Sequence, residues 1–361
     1  MELISVGITY KTAPIEVRER LYYQGKELEE LLQFLTGSLK FREAAVLSTC
    51  NRTEIYTVSE DYVDAEAILK SVLVRRAGSE FMDTILRSIT VFESTKMVRH
   101  LLRVAVGIES MVLGEGQILG QVREAGDMAR SMGTSGPVLN TLFNQAVAAG
   151  KRSRSETAIS RRPVSIAHVA VDLARRIFDG LEGKHVLMIG AGKMSTVAVQ
   201  YLVKRGASNI LVANRTREKA DALAQTLSAH PIDWKDLEIT LRDVDLVITS
   251  TSAPGGIISK QLIEQVMWER GGRPLVLVDI AIPRDVEPSV GALDNVHLYN
   301  LDHLQGVVDA NLRERGSELP KVLRIVEEEE ANFFKWFAAR SAYSTEKNPA
   351  SDFVWKTQEN F

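Results

Sequence analysis

A single cysteine, Cys50, stands in 361 residues, so no intrachain disulfide can form and a disulfide-stapled scaffold is excluded. No secretory leader is read at the start: Met1-Glu2-Leu3-Ile4-Ser5-Val6-Gly7 carries an acid where a leader carries positive charge, and the apolar run stops by Tyr10-Lys11. With one thiol and no leader, the expected compartment is cytoplasmic. Long hydrophobic runs are missing too. The uncharged stretch 131–150 is broken by Gly133, Gly136, Pro137, Asn140, Asn144 and Gln145, too polar for a membrane span, so no membrane partner is expected. Nor is there an excess of positive charge; a formal net charge of −3 leaves any nucleic-acid contact to a local patch. Repeats and low-complexity tracts are absent.

What is present is ordinary globular material, 45% hydrophobic and 25% charged, in a chain long enough for two or three domains. Residues 1–160 read as a first domain. Runs rich in β-branched and aromatic residues at Leu3–Tyr10, Ala44–Thr49, Glu54–Val58 and Ser88–Phe92 predict strands, with helices at Lys26–Leu35 and Val63–Ala77. The resulting β-α-β-β-α-β order is the split βαβ, or ferredoxin-like, arrangement of an α+β domain. Helical periodicity then runs from Glu93 to Thr157, interrupted by the glycine-punctuated loop Gly114–Val122.

Residues 161–300, beginning after Arg161-Arg162-Pro163, predict a second domain of alternating strands and helices: strands at His185–Ile189, Ile210–Ala213, Leu246–Thr249 and Leu275–Ile280 imply a parallel sheet, making the chain a multidomain α/β protein. The first strand leads into Gly190-Ala191-Gly192-Lys193-Met194-Ser195 and a helix, the context of a Rossmann dinucleotide-binding turn. Ser195 replaces the third glycine of that fingerprint, either preserving close packing or offering a hydroxyl to phosphate. After the second strand Asn214-Arg215-Thr216 offers a cation and two polar groups where an acid would select NAD, which favours NADPH; Arg215 is otherwise a surface residue. Thr249-Ser250-Thr251 is expected on the nicotinamide side. Residues 301–343 predict one long amphipathic linker helix, kinked where Gly316 and Pro320 stand four apart, and 344–361 a flexible tail.

Cys50 falls between two predicted strands, two residues before Arg52. It is either a small buried hydrophobe, the common fate of a free cysteine, or a nucleophile whose thiolate a neighbouring cation favours. A loop thiol beside a cofactor domain suggests reduction at the acyl level, with Arg52 aiding ionisation or clamping a substrate carboxylate.

The motifs Thr49-Cys50-Asn51-Arg52-Thr53-Glu54, the run from His100 to Gln121, Gly190–Ser195 and Asp279-Ile280-Ala281-Ile282-Pro283-Arg284 together resemble the glutamyl-tRNA reductase family over roughly residues 1–340. That resemblance implies NADPH-dependent reduction of glutamyl-tRNA(Glu) to glutamate-1-semialdehyde, the first step of five-carbon tetrapyrrole (porphyrin) biosynthesis, and an aminomutase as partner. It makes Cys50 the nucleophile and His100 an aid to activity. Thr49, Asn51, Arg52, Ser110, Glu115, Gly116, Gln117 and Gln121 become contacts of the glutamyl group, and an activated ester needs no metal. Read without the family, His100 is a core or capping histidine and Gln117 and Gln121 a helix's polar face. Gly116 departs from the bulkier residue usual in the family, which would loosen its loop. The tail after the long helix replaces the family's usual C-terminal dimerisation domain, which leaves a homodimer uncertain. Lys151, Arg152, Arg154, Arg161 and Arg162 form the most basic stretch, either a solvated helix face or a contact for tRNA phosphates. Two other readings are a shortened non-catalytic paralogue and a shikimate-dehydrogenase-like oxidoreductase.

Overall fold

The computed structural model describes residues 1–59, 62–159, 165–304 and 318–347. Arg161, Arg162, Val308, Leu312, Gly316 and the end of the tail lie outside these.

The first unit contains β1 (Glu2–Thr9), α1 (Ile15–Arg20), α2 (Gly25–Gln33), β2 (Glu43–Thr49), β3 (Arg52–Ser59), α3 (Tyr62–Ala77), α4 (Met82–Ser88) and β4 (Thr90–Glu93). The strands form an antiparallel sheet in the order β2-β3-β1-β4, the split βαβ topology expected. Ser88 ends a helix rather than starting a strand. Asp83 in the first turn of α4 and Arg87 in its last oppose the helix dipole favourably, and Ile85 buries its apolar face.

Both faces of the sheet are covered, so its strands are apolar on both sides. Ile4, Val6, Ile8, Val46 and Ile55 pack with Leu32, Leu69 and Leu73. Leu3, Leu47, Tyr56 and Val58 face three helices, α5 (Ser94–Ala105), α6 (Gln117–Ser131) and α7 (Pro137–Glu156), through Leu101, Val122, Leu142 and Phe143. Because side chains alternate along a strand, Arg52, Glu54 and Tyr56 of β3 share this second face.

The second unit opens with α8 (Ile166–Phe178), whose first turn Ser165 and His168 cap reciprocally. Its elements are β5 (His185–Ile189), α9 (Lys193–Lys204), β6 (Asn209–Ala213), α10 (Arg217–Leu227), β7 (His230–Ile232), α11 (Leu237–Leu241), β8 (Leu246–Thr249), α12 (Lys260–Glu269), β9 (Leu275–Asp279) and β10 (Val296–Tyr299). The sheet is parallel, ordered β10-β9-β8-β5-β6-β7. This is the doubly wound dinucleotide-binding order, with its switch point between β5 and β8.

The last helix, α13 (Leu319–Lys347), returns to the first unit. Val322, Ile325, Val326, Phe333 and Phe337 share a core with α5 and α7, and Arg99 bonds Glu330 at 2.7 Å. Pro320 lies in the first turn of α13, where a missing N–H costs nothing; the expected kink at Gly316 falls outside the described residues. No helix among the described residues is long and apolar enough to cross a membrane.

Candidate active site between the two units

Thr49 and Arg52 are directly paired across β2 and β3, which leaves Cys50-Asn51 as a two-residue turn. Thr49 Oγ1 accepts from the backbone N–H of both Asn51 and Arg52 at 3.2 Å, and Tyr10 N–H donates to Asn51 O at 2.8 Å. Arg18, from α1, donates through Nη1 to Cys50 O at 2.8 Å and to Asn51 Oδ1 at 3.3 Å. Cys50 is half-buried. Burial pushes its thiol up to about 12, Glu115 adds to the rise, and Arg18, a backbone hydrogen bond and Arg52 offset only part of it.

Arg52 favours the thiolate only through its charge, as one of the smaller contributions. Its guanidinium is committed elsewhere, donating to Glu54 Oε1 at 2.9 Å and to Glu109 O at 2.5 Å. Glu54 collects three donors, since His100 Nε2 meets Oε1 at 2.8 Å and Tyr56 OH donates to Oε2 at 2.5 Å. Burial alone would raise the Glu54 carboxyl, but Arg52 and His100 hold it down at about 2. His100 stacks on Phe92, ring centroids 4.1 Å apart. It lines a separate pocket with Arg52, Lys11, Lys96 and Arg103, not the cavity that Cys50 lines. His100 is thus buried and paired with Glu54.

Cys50 opens into a cleft of about 400 Å³ between the units. Thr49, Glu115, Gln117 and Gln121 line it from the first unit; Met194, Ser250, Thr251 and Ile280 line it from the second. Gln117 reaches across to donate to the Met194 sulfur at 2.7 Å. Burial raises the Glu115 carboxyl to about 7, with Arg52 opposing. Gly114 is required in the loop: its φ is +73°, and an added Cβ would stand 2.4 Å from Ile159 O. Gly116 has an ordinary φ of −69°, and its carbonyl is held by Arg154 Nη2 at 2.6 Å, so the loop is anchored here.

The second unit fits a dinucleotide. Gly190 has a φ of +110°, and a Cβ there would lie 2.4 Å from Ser250 O, while one at Gly192 would meet nothing within 4 Å. The chain thus turns tightly at Gly190 and leaves the start of α9, with Ala191, Lys193 and Met194, open to a pyrophosphate. Ser195 is fully buried with its hydroxyl unpartnered, the position of a packing residue. At the end of β6, Asn214 Nδ2 donates to Thr216 O at 2.8 Å. Arg217 is occupied by Asp221 and Asp233, whereas exposed Arg215 has no partner among the described residues.

Of the residues singled out from sequence, the cleft gathers Thr49, Cys50, Glu115, Gln117, Gln121, Met194, Ser250 and Thr251. Asn51 and Arg52 support the turn from behind. Ser110 is buried, its hydroxyl unpartnered and its carbonyl accepting from Tyr10 OH at 3.2 Å. Within the basic stretch, Arg152 bonds Glu156, Glu328 and Glu329 at 2.7–2.8 Å, fastening α7 to α13. Sequence reasoning missed Arg18, Asp279 and Asp285. Asp279 accepts from Thr249, Ala281 and Val286, and burial raises its carboxyl to about 7; Asp285 accepts from Thr251 N at 2.8 Å. The Asp-Ile-Ala-Ile-Pro-Arg motif contained Asp279 and stops one residue short of Asp285; nothing in the spacing around Arg18 marked it.

A Rossmann unit that faces a thiol across one cleft defines a two-domain, dinucleotide-dependent oxidoreductase. Residues 6–157 match the family described as "Glutamyl-tRNAGlu reductase, N-terminal domain", and 172–307 match "Shikimate / quinate 5-dehydrogenase". Curated glutamyl-tRNA reductases from Geobacillus kaustophilus (42% identity, 93% of this chain, 74% of that protein) and Syntrophotalea carbinolica (39%, 95% and 77%) align along nearly the whole chain. The chain belongs to the glutamyl-tRNA reductase family, oxidoreductases of the first step of tetrapyrrole synthesis. A solved glutamyl-tRNA reductase from Methanopyrus kandleri is 36% identical, covering 93% of this chain and 80% of that one with a TM-score of 0.49. Likeness to shikimate dehydrogenases is confined to the cofactor unit.

Proposed function

We propose that this chain reduces glutamyl-tRNA(Glu) to glutamate-1-semialdehyde with Cys50 as the nucleophile. The observation that carries the reading is the shared cleft: the thiol and the glycine-rich turn face it from opposite units. Cys50 Sγ attacks the ester carbonyl carbon of the glutamyl group. An S–C bond forms, the C–O bond to the terminal ribose breaks, and the tRNA oxygen takes up a proton. NADPH, held by residues 190–194 with its 2′-phosphate on Arg215 between Asn214 and Thr216, would supply the hydride that converts the thioester to aldehyde and returns the thiolate.

The glutamyl α-ammonium pairs with Glu115, the lining carboxyl that acts on Cys50; Thr49, Gln117 and Gln121 supply polar contacts to the rest of the group. This pairing also addresses the unreactive thiol. Glu115 raises the Cys50 pKa, and a cation seated on Glu115 cancels that contribution, so the substrate helps to ionise its own nucleophile. In the cytosol the aldehyde would pass to glutamate-1-semialdehyde aminomutase.

The test is a quenched single turnover with charged tRNA, followed by mass spectrometry of Cys50, alongside NADPH oxidation at steady state. A glutamyl adduct on Cys50 and loss of turnover in Cys50→Ser are expected. Unchanged turnover in that variant would overturn the thioester route. NADPH and tRNA binding without adduct or product would favour a non-catalytic binding protein.

A further inference from the structure

α1 has only six residues, too few to be stable alone. Its charged side chains meet the cofactor unit and the thiol turn. Glu19 and Glu16 accept from Arg284, at 2.9 and 3.0 Å. Ile15 N–H donates to Asp302 Oδ2 at 3.1 Å, just beyond β10. Arg18 lies between. It is 2% exposed, and its guanidinium distributes four contacts: Nε to Ala13 O at 3.2 Å, Nη1 to Cys50 O and Asn51 Oδ1, and Nη2 to Asp302 Oδ1.

We propose that Arg18 is a positioning residue for Cys50, its guanidinium fixing the thiol turn and tying that setting to the seating of the cofactor unit through Asp302. Cys50 O and the Asn51 side chain both point at this cation, which needs a planar fork to serve them and Asp302 together; an ammonium cannot do so. If the cofactor unit shifts, Arg18 loses its carboxylate while still buried, and a buried charge stripped of its partner is costly. Seating of the second unit and geometry of the thiol are therefore coupled. The reading rests on Cys50 as nucleophile, and one readout below is independent of it.

Two variants of the full chain test this, Arg18→Lys and Asp302→Asn, each first checked for an unchanged circular dichroism spectrum and NADPH affinity. Alkylation of Cys50 by iodoacetamide requires no substrate. Arg18→Lys should move its pH midpoint and slow single-turnover acylation about tenfold, with the KM for glutamyl-tRNA nearly unchanged. Asp302→Asn should raise the ratio of free glutamate to semialdehyde about tenfold, because a thioester formed without a well-seated cofactor unit is lost to water. An unmoved alkylation midpoint and wild-type acylation in Arg18→Lys would overturn the positioning role; a wild-type product ratio in Asp302→Asn would overturn the coupling. A wild-type chain that forms no adduct, while Arg18→Lys still shifts alkylation, would count against the nucleophile and not against Arg18.

Discussion

Glu115 raises the thiol pKa of Cys50 within the cleft they both line, and removing that one charge should change two properties in opposite senses. Glu115→Gln takes away a contribution that raises the thiol pKa, so alkylation of the free enzyme near pH 8 should become faster. The same change removes the carboxylate that holds the substrate ammonium, so the KM for glutamyl-tRNA should rise about tenfold, the loss of one charge-assisted contact. Slower alkylation would refute the electrostatic role of Glu115, and an unchanged KM its binding role. Glu54 has the contrary environment. With its folded pKa lowered to about 2 from an ordinary 4.5, it contributes stability that is complete above pH 4.5 and disappears as pH falls through 2. Urea titrations should show Glu54→Gln losing less stability than wild type over that window, by on the order of 2–3 kcal/mol. Equal losses would mean that Arg52 and His100 do not stabilise the charge. At the end of β6, Arg215→Ala should raise the KM for NADPH about tenfold and leave NADH use nearly unchanged. Equal effects on both cofactors would remove the 2′-phosphate assignment. What could be read at this scale from the sequence was identity and order: the thiol between two strands, the glycine turn, the basic residue after β6. What could not be read was partnership. Arg52 stands two residues from Cys50, yet strand alternation turns it toward Glu54, and the cation that reaches the thiol turn comes from 32 residues upstream.

Elements were legible wherever a periodic apolar pattern sufficed. The four strands of the first unit and the four central strands of the parallel sheet follow from short β-branched runs separated by helical ones, with boundaries that moved by only a few residues, whereas the edge strands β7 and β10 were not read. One boundary was misplaced. The segment around Ser88 is settled by end effects, the charges of a short helix, which carry little weight in a scan for periodicity. The destination of α13 was also hidden, since an apolar stripe shows that a face is buried without showing what buries it. Phe333 is fully buried and stacks on Phe337, centroids 5.8 Å apart, in the core shared with α5 and α7. Phe333→Ala should therefore destabilise the first unit by about 3–5 kcal/mol. Calorimetry would show this as a lower first-unit transition; an unchanged midpoint would mean that α13 is not part of that core.

At the scale of the whole molecule, neither unit holds a complete site: one presents the thiol and Glu115, the other the cofactor turn and the Ser250–Thr251 wall. Turnover must then depend on contacts that touch no substrate. Arg284, 15% exposed and just past β9, is the strongest of these. Its backbone N–H and guanidinium both bond Glu19, at 2.6 and 2.9 Å, while Nη1 reaches Glu16 at 3.0 Å. Arg284→Ala would leave Glu19 partly buried without its cation, and the cofactor unit would lose a fixed point on α1. NADPH affinity should stay within about twofold, because the glycine turn and Arg215 are untouched, and the second unit should keep its unfolding midpoint. NADPH oxidation with glutamyl-tRNA should nonetheless fall about tenfold, near 1.4 kcal/mol of barrier, since a small misplacement of donor and acceptor is expensive. Arg284→Lys, which keeps one of the bonds to Glu19, should recover part of the loss. If turnover stays at the wild-type level in Arg284→Ala, the two units hold their register without α1, and the cleft itself, through contacts such as Gln117 with Met194, must set the distance between thiol and cofactor.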